Sequence, residues 1–104
     1  MTGYLLLHGA SSTGWMWHRV EPLLQNAGHS TIAPDLPNAD PEAGLQTYAE
    51  VAYAASEPLG EEPIVIVAQS MAGLYAPLLP ALRPVARLVL LNAMIPKPGE
   101  SGAE

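Results

Sequence analysis

The sequence of 104 residues contains no cysteine and no phenylalanine, and it has few basic residues. The lack of cysteine excludes disulfide bonds, thiolate zinc sites and a cysteine nucleophile. Only four Lys and Arg stand against ten Asp and Glu, which gives a formal net charge of −6. Nucleic acids and anionic membranes both bind clustered cations, so neither is expected as a partner. No apolar run approaches the roughly 20 residues that a membrane-spanning helix needs.

The remaining composition predicts one small folded domain. Apolar residues make up 49% of the chain, too large a fraction for a disordered protein. We expect a domain over residues 1–95 and a flexible tail over residues 96–104, which is polar and rich in Gly and Pro. The start of the chain has neither the basic segment nor the cleavage site of a secretory signal. We therefore expect a soluble cytoplasmic protein.

Short apolar runs predict a parallel sheet. They occupy residues 4–7, 30–33, 64–68 and 88–91. Three of them are continuously apolar rather than alternating, which is typical of strands covered on both faces by helices. The segments between them, residues 15–26, 47–56 and 71–82, carry apolar residues on one helical face. This alternation predicts an α/β fold, an open four-stranded parallel sheet in the order 2-1-3-4 with helices on both faces.

Prolines and one glycine refine the predicted helices. Pro22 interrupts the first segment, so that the helix proper begins near it, and Gly28 is the expected residue after its end. Pro77 and Pro80 fall inside the third segment. Each removes a backbone hydrogen bond and crowds the preceding turn, so the helix is either kinked there or shorter than the pattern suggests, and we expect the kink.

A sharp turn between strand and helix is predicted directly after the third strand, in Ala68-Gln69-Ser70-Met71-Ala72-Gly73. Such a turn projects the side chain at its apex out of the sheet, and it is tight enough to require small residues two positions before and after the apex. Ala68 and Ala72 meet that requirement, which makes Ser70 the candidate nucleophile. The alternative is that Ser70 only caps the helix. Ser70 follows a buried strand, at the edge where open α/β sheets bind ligands, and this position favours the role of nucleophile over that of cap.

A second motif, Leu7-His8-Gly9-Ala10, ends the first strand. Acyl transfer needs two preorganised N–H donors for the oxyanion, and the backbone N–H groups of Ala10 and Met71 are the expected pair. A simple turn at the end of a strand is the alternative for this motif. The glycine-rich stretch 9–14 resembles a phosphate loop only superficially, because Trp and Met follow it where Lys and Ser or Thr are required.

Several motifs occur in an order that resembles the N-terminal half of an α/β-hydrolase. They are His8-Gly9-Ala10, Trp15-Met16-Trp17, Ala33-Pro34-Asp35-Leu36 and the turn around Ser70. The resemblance is nearest to the branch of small esterases and hydroxynitrile lyases. It implies Ser70 as nucleophile, the N–H groups of Ala10 and Met71 as oxyanion hole, and a small ester-like substrate. We expect substrate contacts at His8, Gly9, Trp17 and Gln69. Alanines replace both outer glycines of the usual Gly-x-Ser-x-Gly pattern.

The sequence does not contain a catalytic triad in the expected order of nucleophile, acid and base. In the family both follow the nucleophile, but all three histidines, His8, His18 and His29, precede Ser70. We expect His18 and His29 to be solvent-exposed and His8 to belong to a structural turn. Their spacing fits no zinc template, and we predict neither a metal nor another cofactor.

Two functions remain open at this point. The chain is either the half of an esterase-like serine hydrolase that lacks the triad acid and His, or an inactive hydrolase-like module for binding or assembly. Of the carboxylates, Asp35 is expected to act as a cap or turn residue and Glu100 to lie in the mobile tail. We expect one edge of the strand over residues 88–91 to be unpaired, which predicts a homo-oligomer or a complementing C-terminal chain. The alternative is that the tail from Pro96 folds back over this edge and the domain stays monomeric. Ester hydrolysis and lyase chemistry are not distinguished.

Overall fold

The computed structural model describes residues 2–9, 13–37 and 44–91. The strands are β1 (Gly3–Leu7), β2 (Ser30–Ile32), β3 (Ile64–Gln69) and β4 (Val85–Leu91). The α-helices are α1 (Glu21–Asn26), α2 (Leu45–Ala55) and α3 (Ala72–Tyr75), and 3-10 turns occupy Gly14–Trp17, Glu57–Leu59 and Ala76–Ala81. Within these ranges no helix has both the length and the apolar character needed to cross a membrane. The expected flexible tail lies outside the described residues.

The strands form one parallel sheet in the order β2-β1-β3-β4, which confirms the predicted topology. Strand β4 begins at Val85, three positions before the apolar run from which it was predicted. The exposed Arg87 interrupts the apolar run and so hides the start of the strand from a search for apolar runs. Among the described residues β4 pairs only with β3, so it is an edge strand as expected.

The two faces of the sheet are covered differently. Along β3 the side chains of Ile64, Ile66 and Ala68 are buried, whereas Val65 and Val67 are half-buried. The buried set packs against α2, α3 and the 3-10 turn after α3, in the main core. Right-handed crossovers place α1 on the opposite face, and no residue of α1 is buried. We call these the α2 face and the α1 face of the sheet.

The first predicted helical segment is divided in two. A 3-10 turn over Gly14–Trp17 precedes α1, whose first turn contains Pro22 as predicted. Gly28 follows the C-cap of α1 with a φ of 92°, a left-handed conformation that glycine adopts without strain.

The third predicted segment is not a kinked α-helix, so the expected kink was wrong, and the alternative of a shorter α-helix is what the structure shows. Helix α3 is a single turn, and the chain then continues as a 3-10 helix over Ala76–Ala81. Pro77 lies in the first turn of this 3-10 helix, where a backbone N–H has no intrahelical partner in any case, and Pro80 lies further inside. The prolines therefore change the type of helix instead of bending a regular one.

Candidate active site

Ser70 directly follows β3 in a strained backbone conformation. Its φ is 53°, and it is the only non-glycine residue in the described ranges with a positive φ. Residues with a side chain rarely adopt this region, and holding one there costs about 1–3 kcal/mol. Ala68 and Ala72, on either side of the turn, are both fully buried. The turn is thus as tight as the small residues around Ser70 predict.

Backbone hydrogen bonds fix this turn to its neighbours. The N–H of Ser70 donates to the carbonyl of Leu91 at the end of β4 (3.3 Å), and the carbonyl of Ser70 accepts from the N–H of Gly73 (3.1 Å). The N-cap of α3 is Met71, and no side chain caps the helix there. The alternative that Ser70 serves only as the helix cap is therefore wrong. Ser70 is half-buried at the carboxyl edge of the sheet.

The end of β1 lies against Ser70. A Cβ atom added at Gly9 would stand 2.9 Å from Cβ of Ser70 and 2.9 Å from Oε1 of Gln69. Real Cβ atoms do not approach so closely, so glycine is required for this contact. Strands β1 and β3 are neighbours, and the strand order reverses between them. Open α/β sheets bind ligands in the crevice at such a reversal.

His8 is almost completely buried behind the Gly9 turn, with 1% of its surface exposed. Its Nε2 accepts the backbone N–H of Leu36 (2.9 Å), and its Nδ1 lies 2.8 Å from the carbonyl oxygen of Gly9. A backbone N–H can only donate, so Nε2 carries no proton and Nδ1–H donates to Gly9. The ring is therefore neutral with both nitrogens bonded to the backbone, as suits a structural turn.

Tyr75 connects His8 to the helix that follows Ser70. Its hydroxyl donates to the backbone carbonyl of His8 (3.2 Å). Burial raises the pKa of Tyr75 far above its ordinary value, and the neighbouring Tyr48 adds to the rise. The phenol therefore stays protonated and remains a donor. Sequence reasoning does not find this bond, because the two residues are 67 positions apart and no local pattern links them.

The other histidines are engaged away from Ser70. His18 is exposed and stacks on Trp15 with ring centroids 3.8 Å apart. His29 lies at the amino edge of the sheet, where its Nδ1 accepts the N–H of Thr2 (3.2 Å). His29 is half-buried, not fully exposed as expected. Neither ring is placed to take a proton from Ser70.

Two further side chains have clear structural places. Asp35 accepts, through Oδ1, the N–H of Gly14 (2.8 Å), the first residue of the first 3-10 turn. This contact agrees with the predicted structural role, and the N-cap of the turn is Thr13. Trp17 is 4% exposed, whereas Trp15 is 71% exposed. One tryptophan of the pair packs inside and the other faces outward, as their spacing of two requires.

Part of the predicted site stays untested. Ala10 and Glu100 lie outside the described residues, and Met71 is the one member of the predicted oxyanion pair that the structure places. Substrate contacts at His8, Gly9, Trp17 and Gln69 stay predictions. Within the described part of the chain, no group of three or more His, Asp or Glu side chains is arranged to hold a metal ion.

Comparison with known proteins decides the family. The model of the Alpha/beta hydrolase family matches residues 4–103. The chain belongs to the α/β-hydrolase family. This confirms the resemblance read from the motifs, and the sheet order agrees with it.

The relatives of this α/β-hydrolase chain include esterases and a lyase. It is 31% identical to polyneuridine aldehyde esterase of Rauvolfia serpentina over 94% of the chain and 41% of that protein. It is 29% identical to alpha-hydroxynitrile lyase of Arabidopsis thaliana over 89% of the chain and 40% of that protein. A pyrethroid hydrolase from Sphingobium faniae superimposes with a TM-score of 0.78 and 27% identity, over 95% of this chain and 42% of the other. The chain spans about two-fifths of the length of these relatives.

Proposed function

We propose that this chain carries the nucleophile of an esterase-like serine hydrolase, and that Ser70 is that nucleophile. The observation that supports it most is the φ of 53° at Ser70, in a tight turn at the carboxyl edge of the sheet. Strain of this kind persists where the surrounding structure enforces it, and it is concentrated at functional sites. The close approach of Gly9 to Ser70 lies at the reversal of strand order between β1 and β3, and open α/β sheets bind ligands at such a reversal.

The proposed reaction is acyl transfer. Oγ of Ser70 forms a bond to the carbonyl carbon of an ester while a base takes the hydroxyl proton. The ester C–O bond then breaks, and the alcohol leaves with that proton. Water, deprotonated by the same base, then attacks the acyl carbon. The bond from that carbon to Oγ breaks, the acid is released, and Oγ of Ser70 takes the proton back from the base. The N–H groups of Met71 and Ala10 are the proposed donors to the oxyanion formed in each step.

The base is proposed to come from polypeptide that pairs along β4. Both nitrogens of His8 are occupied, and no histidine follows Ser70 in the sequence. The Ser70–Leu91 hydrogen bond places the carboxyl end of β4 beside the nucleophile. A parallel strand added to β4 would end at this same edge and present its following residues there. Val89, Leu90 and Leu91 are 38%, 45% and 47% exposed, so the end of β4 is an apolar edge of the kind that pairs with further strands.

The proposed substrate is a small ester. Polyneuridine aldehyde esterase and several methylesterases are among the relatives, and their names describe ester cleavage. Because an alpha-hydroxynitrile lyase is among the relatives, C–C cleavage is the second candidate reaction.

Chemical rescue tests the nucleophile in the chain as it stands. A fluorophosphonate probe labels a serine only when its hydroxyl is activated, and imidazole in solution replaces a missing base. We expect imidazole to raise labelling of the wild-type chain and of a Ser30→Ala control, but not of Ser70→Ala. Absence of labelling at every imidazole concentration would contradict the proposal and favour a hydrolase-like binding or assembly module.

A further inference from the structure

We propose that a cavity at the amino edge of the sheet binds a small organic cation, a protonated amine with an apolar body. The cavity has a volume of about 920 Å³, which lies within the range of sites that take small molecules. Its walls combine unpaired carboxylates, an aromatic ring and apolar side chains. The inference does not rest on the proposed function, because the cavity and Ser70 lie at opposite ends of the sheet.

The cavity lies between two segments that precede neighbouring strands. One segment is the end of α2 and the chain after it as far as Glu61, shortly before β3, and the other is residues 82–84, directly before β4. Strands β3 and β4 are parallel, so both segments meet at the amino edge of the sheet. Ser70 follows the six residues of β3, which separate it from this edge by roughly 20 Å. A ligand in the cavity therefore leaves the crevice at Ser70 free.

Two carboxylates decide the sign of the ligand's charge. Glu57 and Glu61 both line the cavity and are exposed. Within the described ranges, neither carboxylate forms an ion pair or a hydrogen bond. The C-terminal end of the eleven-residue helix α2, which Ser56 caps, belongs to the same wall. The C-terminus of a helix carries a partial negative charge and favours cations nearby.

Arg83 is the one cation among the described residues that line the cavity, and its guanidinium is held by other groups. Nη1 donates to the carbonyl and the hydroxyl of Ser56 (3.1 and 2.9 Å). Nη2 donates to the carbonyls of Gly60 and Glu62 (2.7 and 3.1 Å). The four N–H groups of the two terminal nitrogens are thus used by the wall itself. The carboxylates of Glu57 and Glu61 remain available to a ligand.

The apolar part of the wall decides the rest of the ligand. Tyr53, in the last turn of α2, is 43% exposed, and Leu82 and Pro84 stand in the other segment. The face of an aromatic ring attracts a cation placed within about 6 Å of its centre. An ammonium group between the ring and the carboxylates, with an apolar body against Leu82, satisfies each part of this wall.

A titration with benzylamine tests the site in the 104-residue chain. Benzylamine is protonated at neutral pH and joins an ammonium group to an aromatic body. In ¹⁵N NMR spectra we expect it to shift the amide resonances of Tyr53, Glu57, Glu61 and Arg83 and to leave that of Ser70 in place. Benzyl alcohol has the same shape without the charge, and it should bind more weakly.

Substitutions of the carboxylates test the charge. Glu57→Gln and Glu61→Gln keep the size of each side chain, and each should weaken binding of benzylamine about two- to fivefold, as for an exposed ion pair. The control Glu21→Gln removes the same charge from α1 and keeps an oxygen acceptor for the hydroxyl of Thr31. Its affinity should equal that of the wild type at about 0.15 M ionic strength, where charges more than about 8 Å apart are largely screened.

Substitutions of Tyr53 test the ring. Tyr53→Phe keeps the aromatic face and should bind benzylamine as the wild type does, whereas Tyr53→Leu should bind it about two- to fivefold more weakly. The proposal is overturned if benzylamine shifts no amide of the cavity, if benzyl alcohol binds equally well, or if Glu21→Gln weakens binding as much as Glu57→Gln. None of these outcomes depends on labelling of Ser70, so the failure of either proposal leaves the other to its own test.

Discussion

The α2 face and the α1 face of the sheet differ in how much of the described chain covers them. On the α2 face, Leu5, Leu7, Ile64 and Ile66 are fully buried beneath α2 and α3. On the α1 face, Leu6 is fully buried, but Val65 and Val67 are only half-buried, and no residue of the six-residue helix α1 is buried. The small residues of the Ser70 turn, Ala68 and Ala72, belong to the well-packed α2 face. Val65 and Val67 on the α1 face and the exposed end of β4 present apolar surface.

The largest expected effect on the free energy of unfolding comes from a comparison of two neighbouring residues of β3 whose side chains point to opposite faces of the sheet. Ile66→Ala removes a fully buried side chain from the α2 face, and we expect it to lower the free energy of unfolding by about 2–5 kcal/mol. Val67→Ala acts on the half-buried α1 face, and a loss below about 1 kcal/mol is expected. Urea denaturation measures both values. Equal losses would show that the two faces are packed alike.

A smaller effect is expected where the end of β1 meets the Ser70 turn. Gly9→Val places branched carbons where even a Cβ would be 2.9 Å from Ser70, and we expect a loss of roughly 1–3 kcal/mol in the free energy of unfolding. Gly44→Ala is the control, since nothing lies within 4 Å of a Cβ there. Thermal unfolding compares the two variants. Wild-type stability of Gly9→Val would contradict the close contact.

The strain at Ser70 predicts that one substitution there raises the free energy of unfolding, whereas the substitutions above lower it. Ser70→Ala keeps a side chain at positive φ, so its stability should stay within about 0.5 kcal/mol of wild type. Ser70→Gly relieves the strain, and we expect it to be roughly 1 kcal/mol more stable than the Ala variant. Denaturation of the two variants side by side provides the measurement. An Ala variant as stable as the Gly variant would show that the turn stores no strain.

The smallest effect on the stability of the monomer is expected at the edge of β4, where association is the informative quantity. Val89 pairs with Val67 and lies on the α1 face, 38% exposed. We expect Val89→Lys to change the free energy of unfolding by less than about 0.5 kcal/mol and to weaken self-association. Arg87→Lys in the same strand is the control.

Light scattering over a concentration series measures self-association through the edge of β4. The wild type should exceed the monomer mass of 11.0 kDa as its concentration rises, and Val89→Lys should remain closer to it. A wild-type mass of 11.0 kDa at every concentration would contradict association through β4.

Local patterns predict much of this architecture. The continuous apolar runs identify the strands, and the small residues around Ser70 identify the turn that projects it, because both requirements are local. The start of β4 is missed because Arg87, an exposed residue within an edge strand, interrupts the apolar pattern. Pro77 is read as a kink because local sequence does not distinguish a bent α-helix from a 3-10 helix.

Local sequence patterns do not predict contacts between distant parts of the chain. The partners of the His8 ring and backbone lie 28 and 67 positions away, in Leu36 and Tyr75. Those bonds exist only once the sheet has brought two loops and helix α3 together. A histidine beside a glycine at the end of a strand therefore identifies a turn but not what the ring holds.

The hydrogen bond between Ser70 and Leu91 links the proposed nucleophile to the sheet edge. Leu91 is the last residue of β4, so a segment that pairs with β4 restrains the acceptor of this bond and, through it, the Ser70 turn. Coupling free energies are reciprocal. An ester analogue held at Ser70 should therefore strengthen association at β4 by the same factor by which association strengthens binding of the analogue.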